Sequence, residues 1–75
     1  MTIDLHGLRA DDAEFELRRF IDAAPPGTHT VEVIHGNGTG ALKAIAHEMY
    51  HPRIAGRALC LGNPGQTNLY LHTNY

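Results

Sequence analysis

A chain of 75 residues has the length of one small domain, and it can bury only about 60% of the surface that its unfolded form exposes. The formal net charge of −2, with six histidines counted as neutral, argues against a protein that holds nucleic acid by bulk positive charge. The single cysteine, Cys60, excludes an internal disulfide and predicts a reducing, cytoplasmic compartment. Because no apolar run approaches the roughly 20 residues that cross a bilayer, no membrane contact is expected.

The first half of the chain predicts a strand, a helix and a second strand. A short β-type run covers Thr2 to Leu5. Apolar residues then recur at helical spacing, at Ala13, Leu17, Phe20, Ile21 and Ala24. Pro25-Pro26-Gly27 ends this helix, and the β-branched stretch from Thr28 to Ile34 predicts the second strand.

The second half predicts one more helix and two more strands. The helical pattern continues through Leu42, Ile45, Ala46, Met49 and Tyr50, and His51-Pro52 ends it. Ile54 to Leu61 and Asn68 to Thr73 are predicted strands, joined by the turn-forming residues 62–66. The order is therefore βαβαββ, with residues 1–75 forming a single domain.

Two apolar strands end in the same pair of residues, histidine followed by glycine, at His6-Gly7 and His35-Gly36. A strand, helix, strand unit normally closes with a right-handed crossover, so these two strands should be parallel in one sheet. Ligands of open α/β sheets bind at the carboxyl edge of parallel strands. We therefore expect His6 and His35 to lie near each other and to build one site.

The glycine-rich segment from Gly36 to Lys43 follows a strand and precedes a helix. Glycines allow backbone amides to approach an anion, and the helix dipole adds partial positive charge, so phosphate is the expected guest. The spacing fits neither a Walker A loop nor the dinucleotide-binding fingerprint. A tight turn without a ligand is the alternative, although His35 and Lys43 on either side favour binding.

Asp4 and His6 stand two residues apart on the first strand, which predicts that they share one face, opposite Ile3 and Leu5. A carboxylate beside an imidazole serves acid and base chemistry or holds a divalent cation such as magnesium. Alternatively, Asp4 accepts hydrogen bonds from a neighbouring loop. His35 has the same parity as Val31 and Val33 and is expected to point inward unless the strand has already ended.

The remaining titratable residues give weaker signals. His29, His47, His51 and His72 are scattered, and we expect them to be solvated. Lys43, Arg53 and Arg57 stand out among the basic residues because they bracket the second helix and open the third strand. Tyr70 alternates with two leucines and should leave the core, where it could stack on a base or have no role.

Two motifs together carry a resemblance to a known family. Ile3-Asp4-Leu5-His6-Gly7 and, after a helix, residues 34–43 (IHGNGTGALK) resemble the two signatures of the Smr (small MutS-related) domain, an L-D-L-H-G strand end and an H-G-x-G-x-G loop. The likeness covers nearly the whole chain. It extends to residues 63–71, which resemble the glycine-rich turn and last strand of the family.

The resemblance implies a two-layer α/β sandwich, with two helices on one face of a four-stranded mixed sheet, like the C-terminal domain of bacterial translation initiation factor three. It also implies binding to DNA or RNA and endonuclease activity, with other domains or proteins supplying further contacts. A non-catalytic binding module and a protein-interaction domain are the alternatives. The implied catalytic residues are Asp4, His6 and His35. The implied phosphate-binding residues are Gly36, Asn37, Gly38, Thr39, Gly40 and Lys43.

Two positions depart from the family pattern. Asn37 occupies a loop position that is often basic, and Arg9 stands where a helix-capping Ser or Thr is common. Together with the negative net charge, Asn37 predicts weak affinity for long nucleic acid.

Overall fold

The computed structural model describes residues 1–38 and 40–73, which form four strands and two helices in the predicted order. The elements are β1 (Thr2–Asp4), α1 (Ala10–Ala23), β2 (Thr30–Ile34), α2 (Ala41–Glu48), β3 (Ile54–Leu59) and β4 (Gln66–Leu71). Boundaries differ from the predicted ones by a few residues. The most consequential difference is at β1, which ends at Asp4 instead of continuing toward His6.

The strands form one mixed sheet in the order β1-β2-β4-β3. β1 and β2 are parallel neighbours, with Asp4 opposite Ile34, as the crossover argument predicted. β2 and β3 each pair with β4 in the antiparallel sense. The first two strands therefore end at the same edge of the sheet, and the segments that carry His6 and His35 leave the sheet side by side.

Both helices cover the same face of the sheet. In β2, Val31 and Val33 are fully buried while Glu32 between them is exposed. The two valines belong to one apolar cluster with Leu17 of α1 and Ala46 of α2. The predicted two-layer sandwich is thus confirmed. The other face of the sheet is polar, and Tyr70 on it is 41% exposed, as its parity predicted.

Arginine side chains cap the C-terminal ends of both helices. Arg53 is 6% exposed, and its guanidinium donates hydrogen bonds to the carbonyl oxygens of Ile21 and Ala24, both at 2.7 Å. Arg57 donates in the same way to the carbonyls of Ala46 and Met49 at the end of α2. These two arginines stabilise the fold by binding carbonyls that a helix leaves unpaired at its C-terminus.

Two of the histidines expected to be solvated are not. His51 is 6% exposed, and its Nε2 lies 2.7 Å from Oδ1 of Asp22. His47 is half-buried, and its Nε2 lies 2.9 Å from the hydroxyl of Thr67. The positions of these histidines in the sequence do not indicate their contacts, because each contact joins elements that are distant along the chain. His29 and His72 are exposed, as predicted.

Across residues 1–38 and 40–73, the helices are too short and too polar for any of them to cross a bilayer.

Candidate active site

His6 and His35 meet around Gly36, in the cleft where β1 and β2 end. The cleft has a volume of about 240 Å³, and both histidines line it together with Lys43. A Cβ atom added to Gly36 would lie only 2.8 Å from Cδ2 of His6. The imidazole of His6 therefore packs against the bare backbone of Gly36, and the predicted juxtaposition of the two histidines is confirmed.

The two imidazoles differ in their surroundings. His6 is exposed, and neither of its ring nitrogens has a hydrogen-bond partner in the part of the chain that the structure describes. His35 is 3% exposed and points inward, as its parity predicted. Its Nδ1 lies 2.9 Å from the carbonyl oxygen of Gly36, and its Nε2 lies 2.9 Å from the hydroxyl of Thr67. The ring that can exchange a proton directly with a ligand in the cleft is therefore His6.

The glycine-rich loop connects His35 to the N-terminus of α2. The amide of Gly36 already donates to the carbonyl of Gly65 at 3.0 Å, so it is not available to an anion. The amides of Asn37 and Gly38 have no partner among the described residues. Gly40 is the N-cap of α2 and has a φ of 89°. Thr39, which was predicted to belong to the same loop, lies outside the described residues.

Lys43 completes the cleft from the first turn of α2. The side chain is exposed and forms no salt bridge with a described residue. It also lines a second depression with Asn37 and Pro64, on the other side of the loop. A helix N-terminus and an unpaired ammonium beside it both attract an anion of the size of a phosphate group.

The carboxylate of Asp4 lies outside this cleft. Its Oδ1 accepts a hydrogen bond of 2.9 Å from the backbone N–H of His6, two residues further along the chain. Because β1 ends at Asp4, strand alternation does not place the two side chains on one face, and the carboxylate closes a turn instead. The alternative interpretation also expected Asp4 to accept a hydrogen bond, although from a neighbouring loop, whereas the donor is the backbone of His6.

The cleft offers poor ligands for a magnesium ion. Its described side-chain donors are nitrogen atoms from His6, His35 and Lys43, whereas Mg²⁺ prefers oxygen ligands in octahedral geometry. Within residues 1–38 and 40–73, no group of three or more His, Cys, Asp or Glu side chains is placed to hold a metal ion. The described residues therefore do not form a magnesium site.

Comparisons with known proteins identify the family to which this fold belongs. The profile of the Smr domain matches residues 3–67, which include both histidine-glycine pairs and Thr67. The chain belongs to the Smr domain family. The crystal structure of the Smr domain of Thermus thermophilus MutS2 superposes with a TM-score of 0.86, at 30% sequence identity, and the match covers 95% of this chain and 96% of that one.

The curated relatives of this Smr domain are much longer proteins. Endonuclease MutS2 of Solidesulfovibrio magneticus is 42% identical over 76 residues, which cover 97% of this chain and 10% of that protein. Endonuclease MutS2 of Brevibacillus brevis is 36% identical over 67 residues, which cover 88% of this chain and 8% of that protein. The chain thus spans about a tenth of the length of these relatives.

Thr67 and His47 are the site residues that sequence reasoning missed in this Smr domain. Thr67 lies 32 residues after His35, and it is opposite Val33 in the pairing of β2 with β4. One signal was present, because Thr67 has the parity of the buried Leu69 and Leu71 and is therefore a polar residue on an apolar face. A buried hydroxyl needs a partner, which here is the pair of histidines.

The environment of His47 disfavours a charge on its ring. Its pKa is lowered from the ordinary value of 6.5, first by burial and then by the positive charges of Lys43, His35 and Arg57. Glu48 acts in the opposite direction and is the weakest of these influences. His47 is therefore neutral near pH 7 and able to accept a proton.

Proposed function

We propose that this Smr domain is an endonuclease that hydrolyses phosphodiester bonds in DNA or RNA. The observation that supports the proposal best is the meeting of an exposed imidazole, a glycine-rich helix N-terminus and an unpaired lysine in one cleft of about 240 Å³. That combination provides a general acid or base beside a binding place for one phosphate group. The endonuclease names of the longer relatives point to the same reaction class.

In this proposal the scissile phosphate is held by the amides that follow Gly36 and by the N-terminus of α2. Lys43 neutralises part of the phosphate charge. His6 transfers a proton to or from the reacting oxygen, because its ring nitrogens are free of partners among the described residues. His35 holds the loop in place through the hydrogen bond between its Nδ1 and the carbonyl of Gly36.

The decisive experiment compares His6→Gln with the unchanged chain on nicked, branched and single-stranded DNA and RNA. We expect the cleavage rate to fall on the order of a hundredfold, the scale of losing a general acid or base, while substrate binding changes little. His29→Gln is the matched control, because it removes an exposed imidazole that does not line the cleft. Each reaction is run with magnesium and with a chelator.

Three outcomes would each contradict one part of the proposal, namely the role of His6, the cleavage itself or a cleft without a metal ion. Full activity in His6→Gln would assign the cleavage to a contaminant or to other residues. Binding without cleavage by the unchanged chain would favour the non-catalytic nucleic-acid-binding module. Loss of activity in the chelator would indicate a metal ion that the described side chains do not account for.

Asp4 is proposed to act as a positioning residue that holds the turn at His6. Asp4→Asn keeps an oxygen that accepts the His6 amide, so it should retain most of the cleavage activity. Asp4→Ala removes the acceptor, and a misplaced His6 should lower the rate about tenfold to a hundredfold. If the carboxylate itself served as base or metal ligand, the two variants would lose activity equally.

A further inference from the structure

A row of hydrogen bonds leads from His35 at the cleft through the buried Thr67 to the half-buried His47. His35 Nε2 lies 2.9 Å from the Thr67 hydroxyl, and the same hydroxyl lies 2.9 Å from Nε2 of His47. Thr67 has no exposed surface and His35 is 3% exposed, so the bond between them is shielded from water, whereas His47 is half-buried. His35 directly follows β2, Thr67 lies in β4 and His47 lies in α2.

The chemistry of the partners fixes the position of each proton in this row. The carbonyl of Gly36 can only accept, so Nδ1 of His35 carries a proton and donates it. In neutral His35, Nε2 is then an acceptor and receives the hydroxyl proton of Thr67. A hydroxyl has one proton, so its oxygen accepts from Nε2–H of His47. His47 is left with an unprotonated Nδ1 at the outer end of the row.

Adding one proton to this row produces two arrangements that differ in the position of the charge. A proton that binds Nδ1 of His47 makes that ring an imidazolium. If the Nε2 proton of His47 then moves to the Thr67 oxygen while the Thr67 hydroxyl proton moves to Nε2 of His35, the charge passes to His35. Every atom keeps its normal valence, and His47 becomes neutral again with its proton on Nδ1.

Two protonated rings cannot share the row favourably. Both Nε2–H groups would then point at the oxygen of Thr67, and the buried hydroxyl proton would lose its acceptor. The two positive charges would also repel each other across a single side chain. The pair therefore takes up one proton before it takes up a second.

We propose that Thr67 and His47 are positioning residues for His35, which complete the hydrogen bonding of its Nδ1–H tautomer and pass it a proton through the hydroxyl of Thr67. Nδ1–H of His35 anchors the carbonyl of Gly36, so the tautomer sets the geometry of the glycine-rich loop. The expected effect of a bound phosphate on this row rests on the proposed function. A phosphate in the cleft would draw the shared proton toward His35, because His35 lines the cleft and His47 does not.

The charged groups around His47 favour the same direction of transfer. Lys43 and Arg57 place positive charge near the His47 ring, and burial adds to their effect. Glu48 is the only described carboxylate that acts on His47, and it acts weakly. From β4 the ring meets the uncharged Thr67. A proton shared along the row is therefore held less firmly by His47 than by a histidine in water.

Imidazole ¹⁵N NMR on the full chain tests the tautomers without any variant. Above pH 8 we expect His35 to carry its proton on Nδ1 and His47 to carry its proton on Nε2, each as a single form. On acidification, the ¹⁵N signals of the two rings should change together. A neutral His35 with its proton on Nε2, or a His47 that exchanges freely between tautomers, would overturn the proposal.

Thr67→Val and Thr67→Ser test the hydroxyl. Valine has nearly the shape of threonine but no hydroxyl, so no proton can pass between the rings and Nε2–H of His47 loses its acceptor. The ¹⁵N signals of the two rings should then change independently on acidification, and His47 should lose its single tautomer, while the Gly36 carbonyl still holds Nδ1–H of His35. Thr67→Ser should restore the behaviour of the unchanged chain. Identical titrations in all three proteins would overturn the relay. If Thr67→Val does not fold, the tautomers of the unchanged chain and of Thr67→Ser still decide the question.

NMR measurements with added inorganic phosphate test this inference separately from the proposed function. Near the midpoint of the change on acidification, phosphate should perturb the amides of Asn37 and Gly38, increase the protonated fraction of His35 and decrease that of His47. A response of the amides without a change in either ring would overturn the proton transfer. Amides that do not respond would contradict the proposed phosphate site, while the tautomers and Thr67→Val would still decide the relay.

Discussion

At the scale of single residues, the glycine after His35 has two separate reasons to be there. Its φ of 76° lies in the left-handed region, where side chains with a Cβ are strained. The imidazole of His6 also occupies the space that a Cβ would fill, at 2.8 Å. Sequence reasoning explained the glycines by the approach of backbone amides to an anion. The structure adds that Gly36 lets two histidines share one cleft.

Three glycine-to-alanine variants in one loop separate these effects. Gly36→Ala meets both strain and collision, and we expect it to lower the free energy of unfolding by about 2 to 3 kcal/mol and to displace His6. Gly40→Ala, at φ 89° with open space around it, should cost about 1 kcal/mol from backbone strain alone. Gly38→Ala has neither problem and should stay within about 0.5 kcal/mol of the unchanged chain.

Urea unfolding measures the stabilities of these variants, and the NMR signals of the His6 ring report its displacement. A Gly36→Ala protein as stable as Gly38→Ala, with an unmoved His6, would show that the loop relaxes around the new methyl group.

The sequence was sufficient to predict that His6 and His35 meet, because parallel pairing follows from the length of the crossover. It was not sufficient for Asp4, because strand periodicity holds only within a strand and β1 stops at that residue. Nor could it find the contact of His35 with Thr67, through which His47 joins the same row. That contact depends on the register of β2 against β4, and no local pattern in the chain specifies that register.

At the scale of elements, the helix C-termini are the parts that the sequence described least. The prolines after α1 predicted where it stops, and this was close to the observed end at Ala23. What binds the last carbonyls was not predicted, because Arg53 lies 29 and 32 residues after its acceptors and Arg57 reaches α2 from the following strand. Arg53 bridges α1 and the start of β3, and Arg57 bridges α2 and β3. Each ties a helix to an edge strand of the sheet.

We expect Arg53→Met to lower the free energy of unfolding by about 3 kcal/mol. Methionine keeps the apolar stem but leaves the carbonyls of Ile21 and Ala24 without their charged donor, and such hydrogen bonds contribute about 1.5 to 3 kcal/mol each. Arg19→Met is the matched control, because Arg19 is exposed and its salt bridge with Glu16 spans 3.5 Å at the surface. That variant should change the stability by less than about 1 kcal/mol.

Chemical denaturation of both variants at the same pH checks this expectation. Equal losses in Arg53→Met and Arg19→Met would mean that water replaces the buried guanidinium without cost.

At the scale of the whole molecule, stability should depend on pH through the row of histidines. The pKa of His47 is lowered from 6.5 by folding, so the unfolded chain binds a proton there more readily than the folded chain does. The contribution of His47 to stability is therefore fully present above about pH 6.5 and is lost as the pH falls through the lowered pKa. Other groups titrate in the same range, so the test requires a difference between two proteins.

His47→Gln supplies that difference. Glutamine can donate a hydrogen bond to Thr67 but does not titrate. The free energy of unfolding of the His47→Gln protein should therefore fall less steeply between pH 7 and pH 5 than that of the unchanged chain. Urea titrations at several pH values give both curves. Parallel curves would indicate that the pKa of His47 is the same in the folded and unfolded chains.

The cleft depends on the pairing of the short edge strand β1 with β2, because His6 follows this strand closely. β1 has three residues and pairs only with β2, whereas β2, β4 and β3 form a continuous antiparallel sheet without it. Edge segments with few hydrogen bonds open more often than the centre of a sheet, at a fraction of the global free energy of unfolding. An opening that also displaces the fully buried Leu5 after β1 carries His6 away from Gly36. The lifetime of the assembled cleft therefore depends on the burial of Leu5 as well as on the three residues of β1, and not on global unfolding alone.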